Sequence, residues 1–289
     1  MLKALFNIFF ILAPLQIFAQ GNTDIHLFDL SIDQDGLKLI NHKQITDRPG
    51  YDNQVHFSKD RYKLYYSSVN ESGLTDLYEY DLITRNERQI TTTFLSSEYS
   101  PTPTPDNKYV SCIRQGADGS QNLVKYPISG DGPATVLIDN HLVGYHIWLD
   151  QQRVLSFILN GDSNDMYVHD LKTGKETMLA KNIGRCFKHI PESESVSFVQ
   201  LNKAEGSEIK SIDKSTLEIK NITKTIKDIQ DYAWIGQDLM IMGDGSAVYL
   251  WRPATGWEKQ LDLSDHKLNG ITRMAFNPRS NQLAVVCDE

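Results

Sequence analysis

The chain has 289 residues, of which 40% are hydrophobic and 23% charged, a composition that excludes disordered and low-complexity classes. Its formal net charge of −8 argues against a nucleic-acid partner held on a broad basic surface. Three cysteines are too few for a disulfide framework.

Residues 1–19 read as a secretory signal peptide. Lys3 precedes an apolar run from Ala4 to Ile17, broken by Pro14, and Ala19 supplies a small residue before the cleavage point. The run is short for a membrane span, so no stable span is expected after cleavage. An N-terminal membrane anchor is the competing reading. No cysteine lies at the cleavage point, so a lipoprotein anchor has no support. Cleavage removes one lysine and no acid, which takes the net charge from −8 to −9. The expected location is periplasmic or extracellular, in an oxidising compartment. Cys112, Cys186 and Cys287 lie far apart in apolar stretches and read as buried free thiols. One bridge plus one free thiol is the alternative, and the sequence does not choose.

The rest of the chain, 20–289, repeats itself. One string recurs six times: TDIHLFDL (23–30), TDLYEYDL (75–82), QNLVKYPI (121–128), NDMYVHDL (164–171), SEIKSIDK (207–214) and SAVYLWRP (246–253). Its third column is always apolar, its sixth mostly aromatic, and its seventh is Asp29, Asp81, Asp170 and Asp213 in four copies. Successive copies start 52, 46, 43, 43 and 39 residues apart, a period that points to propeller blades. Between copies lies a second string: an anchor (Phe57, Pro103, Trp148, Ile190, Trp234, Phe276), a polar turn, then an apolar strand. Each unit therefore holds two hairpins, or four short strands. The first unit starts mid-blade and the last strand, Gln282–Cys287, ends mid-blade. The expected fold is all-β: a six-bladed propeller of four-stranded blades, in which strands near 23–46 and 271–288 share one blade. Closure of this kind protects strand edges.

These units resemble those of TolB-like six-bladed β-propellers. Asp76-Leu77-Tyr78-Glu79-Tyr80-Asp81 and Asp165-Met166-Tyr167-Val168-His169-Asp170 match the Tyr-x-x-Asp strand of that family. Arg88-Gln89-Ile90-Thr91 and Lys43-Gln44-Ile45-Thr46 match its strand end, and Pro105-Asp106-Asn107 and Lys59-Asp60-Arg61 its turn. The resemblance spans about residues 22–289 and weakens in the last three units. It implies an exported bacterial protein of this fold, and fold does not fix function.

Catalytic motifs are missing. There is no Gly-x-Ser-x-Gly elbow, and the phosphate-loop and dinucleotide fingerprints are absent, so no cofactor is expected. His56, His146 and His189 are the only metal candidates. All three fall near anchors, but His56 and His189 stand one residue before theirs and His146 two before its own. Alternate strand residues face opposite sides, so the three do not point alike. The acidic turn Asp33-Gln34-Asp35-Gly36 reads as a hairpin rather than a calcium loop. The anchors Phe57, Trp148, Trp234 and Phe276 read as packing between blades.

The residues leading into each innermost strand approach the channel mouth. Counting back five and three from the anchors selects Asp52, Glu98, Tyr145, Arg185, Asp231 and Arg273 among the polar and aromatic members. Arginine forks and aromatic faces suit a polar peptide or a glycan. The same residues, paired with each other, would form a structural plug. The expected function is a non-enzymatic propeller binding an envelope protein, peptide or glycan. The alternatives are a metal-assisted lyase or hydrolase of acidic sugars, and a structural component of an envelope complex.

Overall fold

The computed structural model describes residues 21–33, 36–60 and 62–288. Residues 1–19, read above as a signal peptide, Gln34 and Asp35 of the acidic motif, and Arg61 of the Lys59-Asp60-Arg61 motif lie outside these. The first two strands are β1 (Thr23–Asp33) and β2 (Gly36–Gln44). The first blade follows with β3 (Asp52–Phe57), β4 (Lys63–Val69), β5 (Thr75–Asp81) and β6 (Glu87–Gln89). The second is β7 (Ser96–Pro103), β8 (Tyr109–Gly116), β9 (Gln121–Pro127) and β10 (Thr135–Ile138). The third is β11 (Val143–Trp148), β12 (Arg153–Asn160), β13 (Ser163–Asp170) and β14 (Glu176–Ala180). The fourth is β15 (Ile183–His189), β16 (Ser195–Gln200), β17 (Glu208–Asp213) and β18 (Ile219–Lys224). The fifth is β19 (Tyr232–Gly236), β20 (Leu239–Asp244), β21 (Ala247–Arg252) and β22 (Gly256–Asp262). A 3-10 turn, Leu263–His266, leads to β23 (Asn269–Asn277) and β24 (Gln282–Asp288).

Each blade is an antiparallel sheet in chain order, except the sixth, whose order is β2-β1-β24-β23. Thr23 to Asp29 on β1 pair with Asp288 to Gln282 on β24, so both ends of the ring meet in one sheet, as the half-units had implied. The innermost strands neighbour one another around the axis, with β23 against both β19 and β3.

The second strand of each blade is sandwiched between neighbouring blades and is buried on both faces. Leu64–Ser68 on β4 and Leu283–Cys287 on β24 are buried without a break, which is why these segments read as apolar runs rather than alternations. The outermost strands β6 and β14 are mostly exposed; β6 is wholly polar, Glu87-Arg88-Gln89, and β14 opens with Glu176 and Thr177.

The recurring aspartates close turns. Asp81 Oδ1 accepts the Ile83 and Thr84 amides at 2.9 and 2.8 Å. Asp170 does the same for Lys172 and Thr173, and Asp213 for Ser215 and Thr216. Asp29 departs from this pattern: it lies within the longer β1 and takes the Asn41 side chain instead. The Gln-Ile-Thr strand ends have an equally local role. Thr91 Oγ1 and Gln89 Nε2 donate to the buried Asp76, and Thr46 and Gln44 donate to Asp24 in the same way. These side chains fasten the outermost strand to the third strand, so the motifs that carry the family resemblance are structural.

Candidate binding site at the channel mouth

Five of the six innermost strands carry an irregularity before the anchor, toward the mouth, where one strand slips against its partner: Asn53/His56, Tyr99/Thr102, Val143/Tyr145, Ile183/Phe187 and Asn269/Arg273; in β19 the shift, Trp234/Gly236, lies at the opposite end. Bulges of this kind re-aim side chains. Gln54 and Ser100 sit at φ +59° and +57°, the left-handed region, which costs a non-glycine residue about 1–2 kcal/mol. The conformation is held by hydrogen bonds: Gln54 Oε1 accepts the Ser100 amide of the next blade at 2.7 Å and the Ser67 hydroxyl of its own blade at 3.2 Å. Gln230 Oε1 takes the Arg185 amide at 3.1 Å, and Asp231 Oδ1 the Met274 amide at 2.9 Å. The mouth is thus stitched blade to blade by side chains that cap bulged backbone.

Four of the six sequence-selected residues come together here. Arg273 reaches across the axis from the closing blade to Tyr145 on the opposite, third blade, with Nη2 3.1 Å from the phenol oxygen. Its guanidinium carbon stands 5.6 Å from the Tyr145 ring centroid. Asp231 lies 3.7 Å from Arg273 Nη1. Burial disfavours the Arg273 charge, but Tyr145 and Asp231 outweigh it and hold the pKa above its ordinary value. Lys188 also crosses the channel, donating to the Met274 carbonyl at 2.9 Å. Tyr51, half-buried near these groups, has its phenol pKa raised by desolvation.

Arg185 is different. Its side chain is exposed, and among the described residues its guanidinium has neither an ion-pair nor a hydrogen-bond partner. It lines a pocket of about 390 Å³ with Ile229, Gln230, Asp231, Ile271 and Arg273. The pocket opens over a narrower channel of about 90 Å³ that also holds Tyr145, His146, His56 and Lys188.

Asp52 and Glu98 do not contribute to either lining. Asp52 is buried against Arg48, whose Nε and Nη2 lie 3.1 Å from its carboxylate, and Arg48 also holds Glu87. Glu98 is fully buried and accepts from Thr93, Ser96 and Tyr126 at 2.7, 3.0 and 3.2 Å. Burial raises its pKa, opposed by these hydrogen bonds. The count from the anchor had missed Tyr51, although it immediately precedes Asp52, and Lys188, which stands two residues before the anchor Ile190.

The channel histidines do not assemble a metal centre. His146 is buried, with Nε2 2.7 Å from Ser111 Oγ, and burial together with nearby His56 lowers its pKa to about 3. His189 ends β15, away from the mouth, with its surface exposed. Among the described residues no three His, Cys, Asp or Glu side chains converge to hold an ion.

No family profile matches the sequence, and no curated protein resembles it closely enough to be recognised from sequence. Solved structures do share its fold. The protein assigned as TolB in Agrobacterium tumefaciens superposes with a TM-score of 0.70 at 15% identity, covering 93% of this chain and 99% of that one. TolB from Acinetobacter baumannii gives 0.61 at 12% identity over 93% of this chain, which spans 64% of that protein. An oligogalacturonate lyase in complex with manganese gives 0.51 at 16% identity, covering 91% of this chain and 78% of the lyase. At these identities the likeness establishes a TolB-like six-bladed propeller fold and nothing about activity.

Proposed function

We propose that this chain is an exported binding propeller that recognises a carboxylate-bearing peptide segment of an envelope protein at the channel mouth. The carrying observation is Arg185, an exposed guanidinium with no partner of its own among the described residues, at the wall of a pocket of about 390 Å³. A guanidinium fork matches a carboxylate with two directional bonds. Ile229 and Ile271 in the same wall offer apolar contact for a neighbouring side chain. Arg273, by contrast, is already committed to Tyr145 and Asp231 and acts as the floor of the site. Export is inferred from residues 1–19, which carry the features of a signal peptide. No helix among the described residues is long and apolar enough to cross a membrane.

The test is selection of binders from a random decapeptide display library, followed by titration of the selected peptides. Enrichment of acidic side chains or free carboxyl termini, with an affinity loss of about 2–5 kcal/mol in Arg185→Ala, is expected. Peptides that bind Arg185→Ala as well as the parent protein would remove the pocket from the reading. Selective binding of uronic-acid oligosaccharides in place of peptides would reassign the ligand to a glycan.

A further inference from the structure

The mouth face has a second half with a different chemistry. Antiparallel topology puts the connections between blades and the turns between second and third strands on the same side as the mouth. In the first three blades these loops expose large apolar side chains. Phe94 is 90% exposed and Leu95 80%, both between β6 and β7, while Leu142 between β10 and β11 is 46% exposed and Leu159 on β12 37%. The loops are tied together. Ser96 pairs with Gly116, which sets Phe94 and Leu95 beside the Ala117–Ser120 turn, and the Leu159 amide donates to Leu142 O at 2.9 Å. The Thr93 amide donates to Asp76 Oδ1 at 3.2 Å, which fixes the root of the Phe94 loop.

The loops on the same side of these three blades carry Asp47, Glu71, Asp118, Asp139 and Asp162, all exposed and none in an ion pair among the described residues. The cationic groups on the same loops are already engaged: Arg48 holds Asp52 and Glu87, and His141 holds Glu176. The equivalent loops of the other three blades mix acids with Lys181, Lys203 and Lys267, and with Lys227, which pairs with Asp244. The negative field is therefore a local feature of one half and not a reflection of net charge alone. Exposed aromatic and aliphatic side chains on loops that also carry uncompensated carboxylates are complementary to a surface that is apolar and basic.

We propose that this half of the face docks a cationic amphipathic polypeptide segment, with bulky apolar side chains along one side and lysine or arginine beside them. The proposal rests on the reading of this face as a protein-binding surface and adds the chemistry of the second contact. Carboxylates steer and orient the segment, while Phe94, Leu95 and Leu142 supply the apolar contact that holds it. An anionic lipid surface fits poorly, because the same carboxylates would repel it.

The probe is a fluorescein-labelled Leu/Lys amphipathic peptide of roughly 14 residues, amidated at its C-terminus so that it carries no carboxylate for Arg185. Controls are a Leu/Glu peptide of the same pattern and a Ser/Lys peptide of the same charge. Saturable binding of the Leu/Lys peptide alone is expected, weakening as salt rises. The double variant Phe94→Ser, Leu95→Ser should lose at least about tenfold in affinity. Asp118→Asn with Asp139→Asn should weaken binding and flatten its salt dependence, while both variants melt with the parent protein. Arg185→Ala should bind this peptide unchanged, so failure of the Arg185 pocket and failure of this surface are read separately. No binding of the Leu/Lys peptide, equal binding of the Ser/Lys peptide, or undiminished binding by the Phe94/Leu95 variant would overturn the proposal. So would adsorption to phosphatidylcholine vesicles that depends on Phe94 and Leu95, which would mark the loop as a lipid contact.

Discussion

Trp234 donates its indole N–H to Ser197 Oγ at 2.8 Å across the seam between the fourth and fifth blades. Tyr232 donates to the same oxygen at 2.7 Å, and Ser197 gives its own proton to Lys188 O at 3.2 Å. The seam between the second and third blades repeats the device. Trp148 Nε1 lies 2.9 Å from Ser111 Oγ, His146 Nε2 2.7 Å from it, and Ser111 donates to Thr102 O at 2.9 Å. The single Ser111 proton goes to Thr102, so His146 donates from Nε2. Its Nδ1 keeps a lone pair, buried and without a partner among the described residues.

Replacing Ser197 should therefore cost far more than its size implies. Ser197→Ala leaves two buried donors and one carbonyl without their shared partner, each worth about 1–3 kcal/mol when unsatisfied. The expected loss in urea denaturation is about 2–4 kcal/mol, against a negligible effect for the exposed Ser215→Ala. Equal effects at the two serines would show that the seam does not depend on this hub.

Stability should fall as pH drops from about 6.5 to 4. Burial lowers His26 to about 4, helped by His42, and lowers His146 to about 3, helped by His56. In the unfolded chain these imidazoles protonate near pH 6.5. Between the two values only the unfolded state binds the protons, so stability is full above the unfolded pKa and is lost on acidification. For His26 the loss approaches about 3 kcal/mol at pH 4. Glu98, with its pKa raised, works in the opposite direction and softens the decline. Urea titrations across this range should show a shallower slope for His146→Gln than for the parent protein. Identical slopes would mean that His146 is not held neutral by the fold.

The ring was legible in the sequence for reasons the structure makes concrete. Asp81, Asp170 and Asp213 recur because each closes the same turn, and Gln89-x-Thr91 matches Gln44-x-Thr46 because each fastens an outer strand to an aspartate. The site was only partly legible. Counting from the anchors locates a residue along the strand, but a bulge changes which face its side chain takes. Tyr145, Arg185, Asp231 and Arg273 turn into the mouth, whereas Asp52 turns to Arg48 and Glu98 into its own blade. The pairing of Tyr145 with Arg273, on opposite blades, has no local sequence signal at all.

The thiols admit a simple check. Cys112, Cys186 and Cys287 are all free and buried, and burial pushes Cys186 and Cys287 up to about 12. Thiolate is therefore scarce and access is closed, which protects these cysteines from oxidation. A thiol reagent at pH 8 should find no reactive group in the folded protein and all three after unfolding. Prompt reaction of the folded protein, or fewer than three thiols on unfolding, would contradict this arrangement.

The division of labour between two arginines of one mouth is the core of the functional reading, and thermal melting of Arg185→Ala beside Arg273→Ala tests it most directly. Arg273 is largely buried between Tyr145 and Asp231, and removing it leaves the Asp231 carboxylate at the channel floor without its cation. A loss of about 3–5 kcal/mol and a clearly lower melting temperature are expected for that variant. Arg185 is exposed and supports nothing through its guanidinium, so Arg185→Ala should melt with the parent protein. If Arg185→Ala melts as low as Arg273→Ala, both arginines belong to a structural plug and the mouth is not held open for a partner.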